Sequence, residues 1–229
     1  MSQVYQLDTL VYLLENNVKS FLKGMSTNTT EAVNNAFVDK NGRIVSTFQQ
    51  LKIGSDRWIL CVPRSAELNF DKHIEKYGRL TKTRYEKWPH RVYISENNSL
   101  TDAEYVIDTT WGKMIITQKN IEKIASANAL MEWRVEKNIP WQGFDYKDQM
   151  LLNVYPEAYV SFEKGCFLGQ EVLSRVKYKS APPKKLVVAY QNDLEEKEQE
   201  RMTSIIMCPK NKKKKGFVFI ISSREDLFL

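Results

Sequence analysis

The sequence predicts an α+β fold. Strand-like and helix-like segments are interspersed without regular βαβ spacing, and no glycine-rich phosphate loop opens a helix. Turn pairs such as Asn41-Gly42 join neighbouring β-rich segments as hairpins. The elements follow in order. Segment 16–25 reads as a short helix capped by Asn16 or Asn17, with Val18, Phe21, Leu22 and Met25 at helical spacing. Residues 35–62 read as three strands turning at Asn41-Gly42 and Gly54-Ser55. Segment 65–78 predicts a helix begun by Ser65 and ended by Gly78, with Leu68, Ile74 and Tyr77 buried. A hairpin follows over 105–118, then a helix over 120–135 whose Ile121, Ile124, Asn128 and Met131 share one face.

The stretch 139–157 is rich in aromatic and polar residues and has no clear periodicity. A segment this long, with no core of its own, lines or covers something. Residues 169–176 form a short helix that 180–184, "SAPPK", breaks. Three strands complete the chain, at 185–190, 203–209 and 216–222.

Composition narrows the function classes. With 42% hydrophobic residues, the 229-residue chain can bury one large core or two to three small ones. No apolar run reaches the roughly 18 residues that span a bilayer, and the first residues lack a secretory layout, so a cytoplasmic protein is expected. The net charge of +6 gathers in a lysine run, Lys212 to Lys215, which permits an anionic partner. No aromatic residue interrupts that run to stack a base. Cys61, Cys166 and Cys208 are far apart, and neither His73 nor His90 stands at ligand spacing to a cysteine, so no permanently bound metal is expected.

Two stretches carry chemistry. In "KGCFLGQEVLSR", Gly165 and Gly169 bracket Cys166 ahead of the helix. A helix N-terminus, with Lys164 and Arg175 nearby, favours the thiolate, and Gln170 and Glu171 fall in the first turn. The alternative is a packed, inert cysteine, the reading that suits Cys61 and Cys208 in their apolar runs. In "WRVEKNIPWQG", Arg134, Glu136 and Trp141 could hold a flat heterocycle, the ring stacking while the carboxylate accepts paired hydrogen bonds. The alternative there is an Arg–Glu surface pair beside a core tryptophan.

In this order and spacing, the two stretches resemble the YgfZ-type branch of the folate-binding aminomethyltransferase superfamily, to which the glycine-cleavage T-protein belongs. The family's Lys-Gly-Cys, aromatic, variable, Gly-Gln-Glu motif stands here as Lys164 to Glu171, with Phe167 where Tyr is usual. "RVEKNIP" is similar to its Arg-Ile-Glu-x-Gly-x-Pro segment, with Asn138 replacing Gly; "FLKGMSTN" and "VDKNGRIVSTF" match upstream segments. The resemblance implies a three-lobed fold: 1–36 with 97–180, an inserted 37–96 lobe, and a shortened C-terminal β domain over 181–229. It also implies tetrahydrofolate or a derivative in a central cavity, with Arg134 and Glu136 at the pteridine, Trp141 walling it, and Lys184 toward the glutamate carboxylates.

Ser46 and Thr47 stand where the transferases carry an acidic pair, so no carboxylate is available there as base. The function expected from the resemblance is a folate-dependent accessory factor for assembly or repair of iron–sulfur proteins. Cys166 would act at the cavity mouth, and the partners would be iron–sulfur clients or assembly proteins. The alternatives are a folate-dependent one-carbon transferase and a nucleic-acid adaptor, linked to tRNA modification, that uses the lysine run.

Overall fold

Hairpins form where β-rich segments are joined by turns too short for crossovers, and pairings between strands distant in the chain complete the sheets. The computed structural model describes residues 3–96, 103–122, 124–155, 157–209 and 211–223. In chain order the elements are β1 (Val4–Leu7), β2 (Thr9–Glu15), α1 (Val18–Met25), β3 (Asn34–Val38), β4 (Ile44–Lys52) and β5 (Arg57–Pro63). Then come α2 (Glu67–Thr81), β6 (Arg84–Trp88), β7 (Arg91–Ser95), β8 (Tyr105–Thr109), β9 (Gly112–Thr117) and α3 (Ala127–Glu136). The chain continues through α4 (Leu151–Val154), α5 (Gln170–Lys179), β10 (Lys184–Tyr190), α6 (Glu196–Gln199), β11 (Thr203–Met207) and β12 (Lys214–Ile221).

Three antiparallel sheets result, in the orders β3-β4-β5-β2-β6, β1-β7-β9-β8 and β10-β12-β11. The two hairpins expected over 35–62 and the one over 105–118 all form, with Gly42 in the left-handed region (φ 72°) that its tight turn requires. Helices α1 and α2 cover the five-stranded sheet, burying Tyr12, Phe21, Phe37, Phe48, Trp58 and Phe70. Helix α3 lays Trp133 on the four-stranded sheet, stacked on Tyr5 with ring centroids 5.3 Å apart. The third sheet has no separate core on its inner side. Its Leu186, Ile206 and Phe217 pack with Val38 and Ile44 of the first hairpin, Leu151 of α4 and Leu173 of α5. No helix among the described residues is long and apolar enough to cross a membrane.

Several local expectations are corrected. Asn17 occupies the cap position of α1 but its side chain does not cap; the carboxylate of Asp56, in the β4–β5 turn, accepts from the N–H groups of Asn17 and Val18 instead. Ser65 does not start α2. It lies in a 3₁₀ turn over 64–66, and its hydroxyl donates to the Gln142 carbonyl. The helix runs through buried Gly78 to Thr81 and ends on left-handed Lys82 (φ 58°). Its inner stripe is Phe70, His73 and Ile74, which leaves Leu68 74% exposed and Tyr77 half-buried. Helix α3 begins only at Ala127, where the Ser126 hydroxyl accepts from the Ala129 N–H at 3.2 Å. Ile121 and Ile124 therefore precede the helix and do not share its face.

Candidate functional site

The stretch 139–157 does line a cavity. About 180 Å³ in volume, the cavity is bounded by Thr47 and Gln49 of β4, Asn34, Trp111, Asn138, Trp141, Tyr146, Tyr155 and Tyr159, among others. Its floor is a chain of hydroxyl groups. The Thr47 and Tyr146 hydroxyls are 3.1 Å apart, Tyr146 donates to Tyr155 at 3.2 Å, and Tyr155 donates to the Pro140 carbonyl at 2.9 Å. The Gln142 side chain ties this floor to the sheet: its Oε1 accepts from the Thr47 N–H at 2.9 Å, and its Nε2 donates to the Val45 carbonyl at 3.1 Å. Tyr159 accepts from the Gln49 amide at 2.8 Å. Burial pushes the phenols of Tyr146, Tyr155 and Tyr159 above their ordinary range, so each stays protonated and neutral. None of the lining residues is an aspartate, glutamate, histidine or cysteine.

The loop that presents Trp141 is fixed by a buried cluster that no sequence spacing announces. Asp145, with a fully buried side chain, pairs with the Arg134 guanidinium. It also accepts from the Trp141 N–H at 2.7 Å and from the hydroxyls of Thr203 at 2.9 Å and Ser204 at 2.6 Å. Arg134 lies over the Trp141 ring, 5.8 Å from its centroid. One carboxylate thus joins α3, the cavity wall and the third sheet. Arg134 faces Asp145 and not Glu136, which corrects the surface-pair alternative. Glu136 itself ends α3 exposed and is not among the cavity-lining residues. Asn138 takes the left-handed conformation (φ 53°) just beyond α3, while the Ile139 N–H reaches back to the Arg134 carbonyl at 2.8 Å. That geometry explains a glycine in the resembling motif, and asparagine is the residue that best replaces it. Lys184 sits on the third sheet with its ammonium 4.7 Å from the Phe219 ring centroid; burial lowers its pKa, with Arg43 and Arg201 adding to the effect.

The cysteine motif is mostly architecture. Lys164 points its ammonium at the C-terminal end of α1, donating to the carbonyls of Leu22, Lys23 (3.0 Å) and Ser26. Burial, helped by Lys23, pulls its pKa down to about 8. Phe167 is buried, and the Leu168 N–H donates to the Gly24 carbonyl at 3.2 Å. Gly169 (φ 82°) is the N-cap of α5, and a side chain there would collide with the Asp39 carbonyl of the first hairpin. Gln170 and Glu171 do fall in the first turn, with Gln170 half-buried; among the described residues Glu171 and Arg175 are exposed and form no ion pair. Gly165 (φ 96°) has open space around it.

Cys166 is the exception. The free thiol is exposed, four positions ahead of the first residue of α5, and does not line the cavity. The thiol belongs to the segment that leads into the helix and not to its first turn. Cys61 and Cys208 are buried, and burial pushes the Cys61 thiol up to about 12. Among the described residues, no three His, Cys, Asp or Glu side chains come together as a metal site.

The chain is similar to the crystal structure of the glycine cleavage system aminomethyltransferase T from Bartonella henselae, with a TM-score of 0.71 over 97% of this chain and 79% of that one. The fold is that of an aminomethyltransferase T-protein. Sequence identity is 12%, so the likeness concerns the fold alone. No protein-family model matches the sequence, and no curated protein matches it.

Proposed function

We propose that this chain binds a reduced folate, or a flat heterocycle of that class, in the cavity beside Trp141 and performs no one-carbon transfer there. The lining carries the proposal: two tryptophans and three neutral tyrosines for a planar ring, amides from Asn34, Gln49 and Asn138 for its edge, and no carboxylate. Transfer from an aminomethyl donor calls for a group that moves a proton near neutral pH; neither threonine nor a phenol with a raised pKa serves, and the ammonium of Lys137, which also lines the cavity, is held by Glu96 at 2.9 Å. Thr47 lines the cavity where the resembling transferases have an acidic residue. At about 180 Å³ the cavity is smaller than the roughly 300–1,000 Å³ usual for small-molecule sites. It suits the ring system, with the rest of the molecule extending through the open side.

The resemblance of the cysteine motif adds an accessory role toward iron–sulfur proteins, in which exposed Cys166 meets a client protein while the folate stays in its own cavity. Incubation with tetrahydrofolate and an aminomethyl donor tests the first half: no turnover is expected, and steady product formation would establish a transferase instead. A Cys166→Ala variant tests the second half. Loss of activity in an iron–sulfur enzyme reporter, with tetrahydrofolate binding kept, is expected; full reporter activity would remove the thiol from the account.

A further inference from the structure

A second and larger cavity, about 550 Å³, opens on the other side of Trp141. Its volume falls within the range of small-molecule sites. Four parts of the fold build it: the β1–β2 connector, the turn before β7, the start of α3, and Phe144 with Ser204 across from them. Much of its wall is apolar and uncovered, with Phe144 62% and Ile124 44% exposed beside half-buried Leu130 and Met131. Large side chains left open on a concave surface are more informative than scattered ones on a convex surface.

The charges of this wall are paired off with one exception. Arg64 is bound to Asp8 at 2.8 Å, Arg134 to Asp145, and His90 faces Glu104 at 3.0 Å. Arg91 donates to the Gln118 carbonyl at 2.8 Å and, among the described residues, has no carboxylate partner. The ten-residue helix α3 also begins here, with Ser126, Ala127 and Asn128 all lining the cavity, so the positive end of its dipole adds to the same field.

We propose that this second cavity is a separate binding site for an amphipathic anion, a molecule with one negatively charged group and an apolar, preferably aromatic, body. The anionic group pairs with Arg91 near the start of α3, and the body covers Met131, Trp141 and Phe144. The site goes beyond the folate reading, because it shares only Trp141 with the first cavity.

The test is a titration with 1-anilinonaphthalene-8-sulfonate, followed by energy transfer from tryptophan, beside the uncharged analogue N-phenyl-1-naphthylamine. Saturable one-site binding is expected, weakened about tenfold or more by Arg91→Gln for the sulfonate but not for the neutral analogue, and weakened for both by Phe144→Ser. Both residues are exposed, so these variants should fold; unchanged melting temperatures would verify that, and Phe144→Ser decides the matter if Arg91→Gln destabilises the protein. Tetrahydrofolate should leave the probe bound. Equal affinities in native protein and Phe144→Ser, or complete displacement of the probe by tetrahydrofolate, would overturn the proposal.

Discussion

Asp145 is the residue on which the cavity wall depends most. Its carboxylate takes one buried guanidinium, one backbone N–H and two hydroxyls, so it has little unused acceptor capacity. Asp145→Asn would leave Arg134 charged and buried without a counter-ion, which costs about 3–5 kcal/mol. Urea denaturation should show that loss, together with a shifted tryptophan emission as Trp141 is freed; a change below about 1 kcal/mol would contradict the clustered role. His73 gives a prediction in pH. Its ring stacks on Phe37 at 4.6 Å, and burial, with Lys76 contributing, lowers its pKa from 6.5 to about 4. The unfolded chain therefore binds more protons than the folded one between those values. Stability is full above about 6.5 and falls as pH drops toward about 4, by up to about 3 kcal/mol from this residue. In His73→Phe, which keeps the stack, the slope of stability against pH over that window should be flatter than in the native protein.

At the scale of elements, the first hairpin and α5 approach each other closely enough that glycine is needed on both sides. Gly42 lies under Leu173, whose Cδ2 would be 2.9 Å from an added Cβ, and Gly169 faces the Asp39 carbonyl. Gly169→Ala combines a left-handed backbone with a backbone collision, and a melting experiment should show a loss of at least about 2 kcal/mol. A neutral result would mean that the helix start can retreat from the hairpin. The glycine-bracketed motif was legible in the sequence as a helix entrance; what spacing did not reveal is that its lysine closes α1 and its second glycine seats a turn more than 120 residues away. The hairpins were legible because Asn-Gly and alternating apolar residues are local signals. The limits of α2 and α3 differ from those the local pattern predicts because tertiary contacts and capping set them: Gly78 packs inside its helix, and Ser126 caps later than the apolar pattern begins. Asp145 has no signal in the sequence, since its partners come from α3, from its own loop and from Thr203 and Ser204, 58 and 59 residues further on.

For the whole molecule, three sheets meet around α3, α4 and the 139–157 stretch, and the third sheet shares its inner core with the first hairpin. Loosening of the third sheet should therefore be felt at Trp141, through Thr203 and Ser204. The reading of 139–157 as a lining segment rested on its lack of periodicity, and it agrees with the structure. The motif makes Glu136 the pteridine's partner, whereas in the structure Glu136 is exposed and outside the cavity lining and Trp141 is part of it. These two residues separate the accounts most sharply. The decisive measurement is a calorimetric titration of tetrahydrofolate into the native protein, Trp141→Ala and Glu136→Ala. A single site that is lost in Trp141→Ala and retained in Glu136→Ala is predicted. Binding retained in Trp141→Ala but lost in Glu136→Ala would contradict the cavity assigned here.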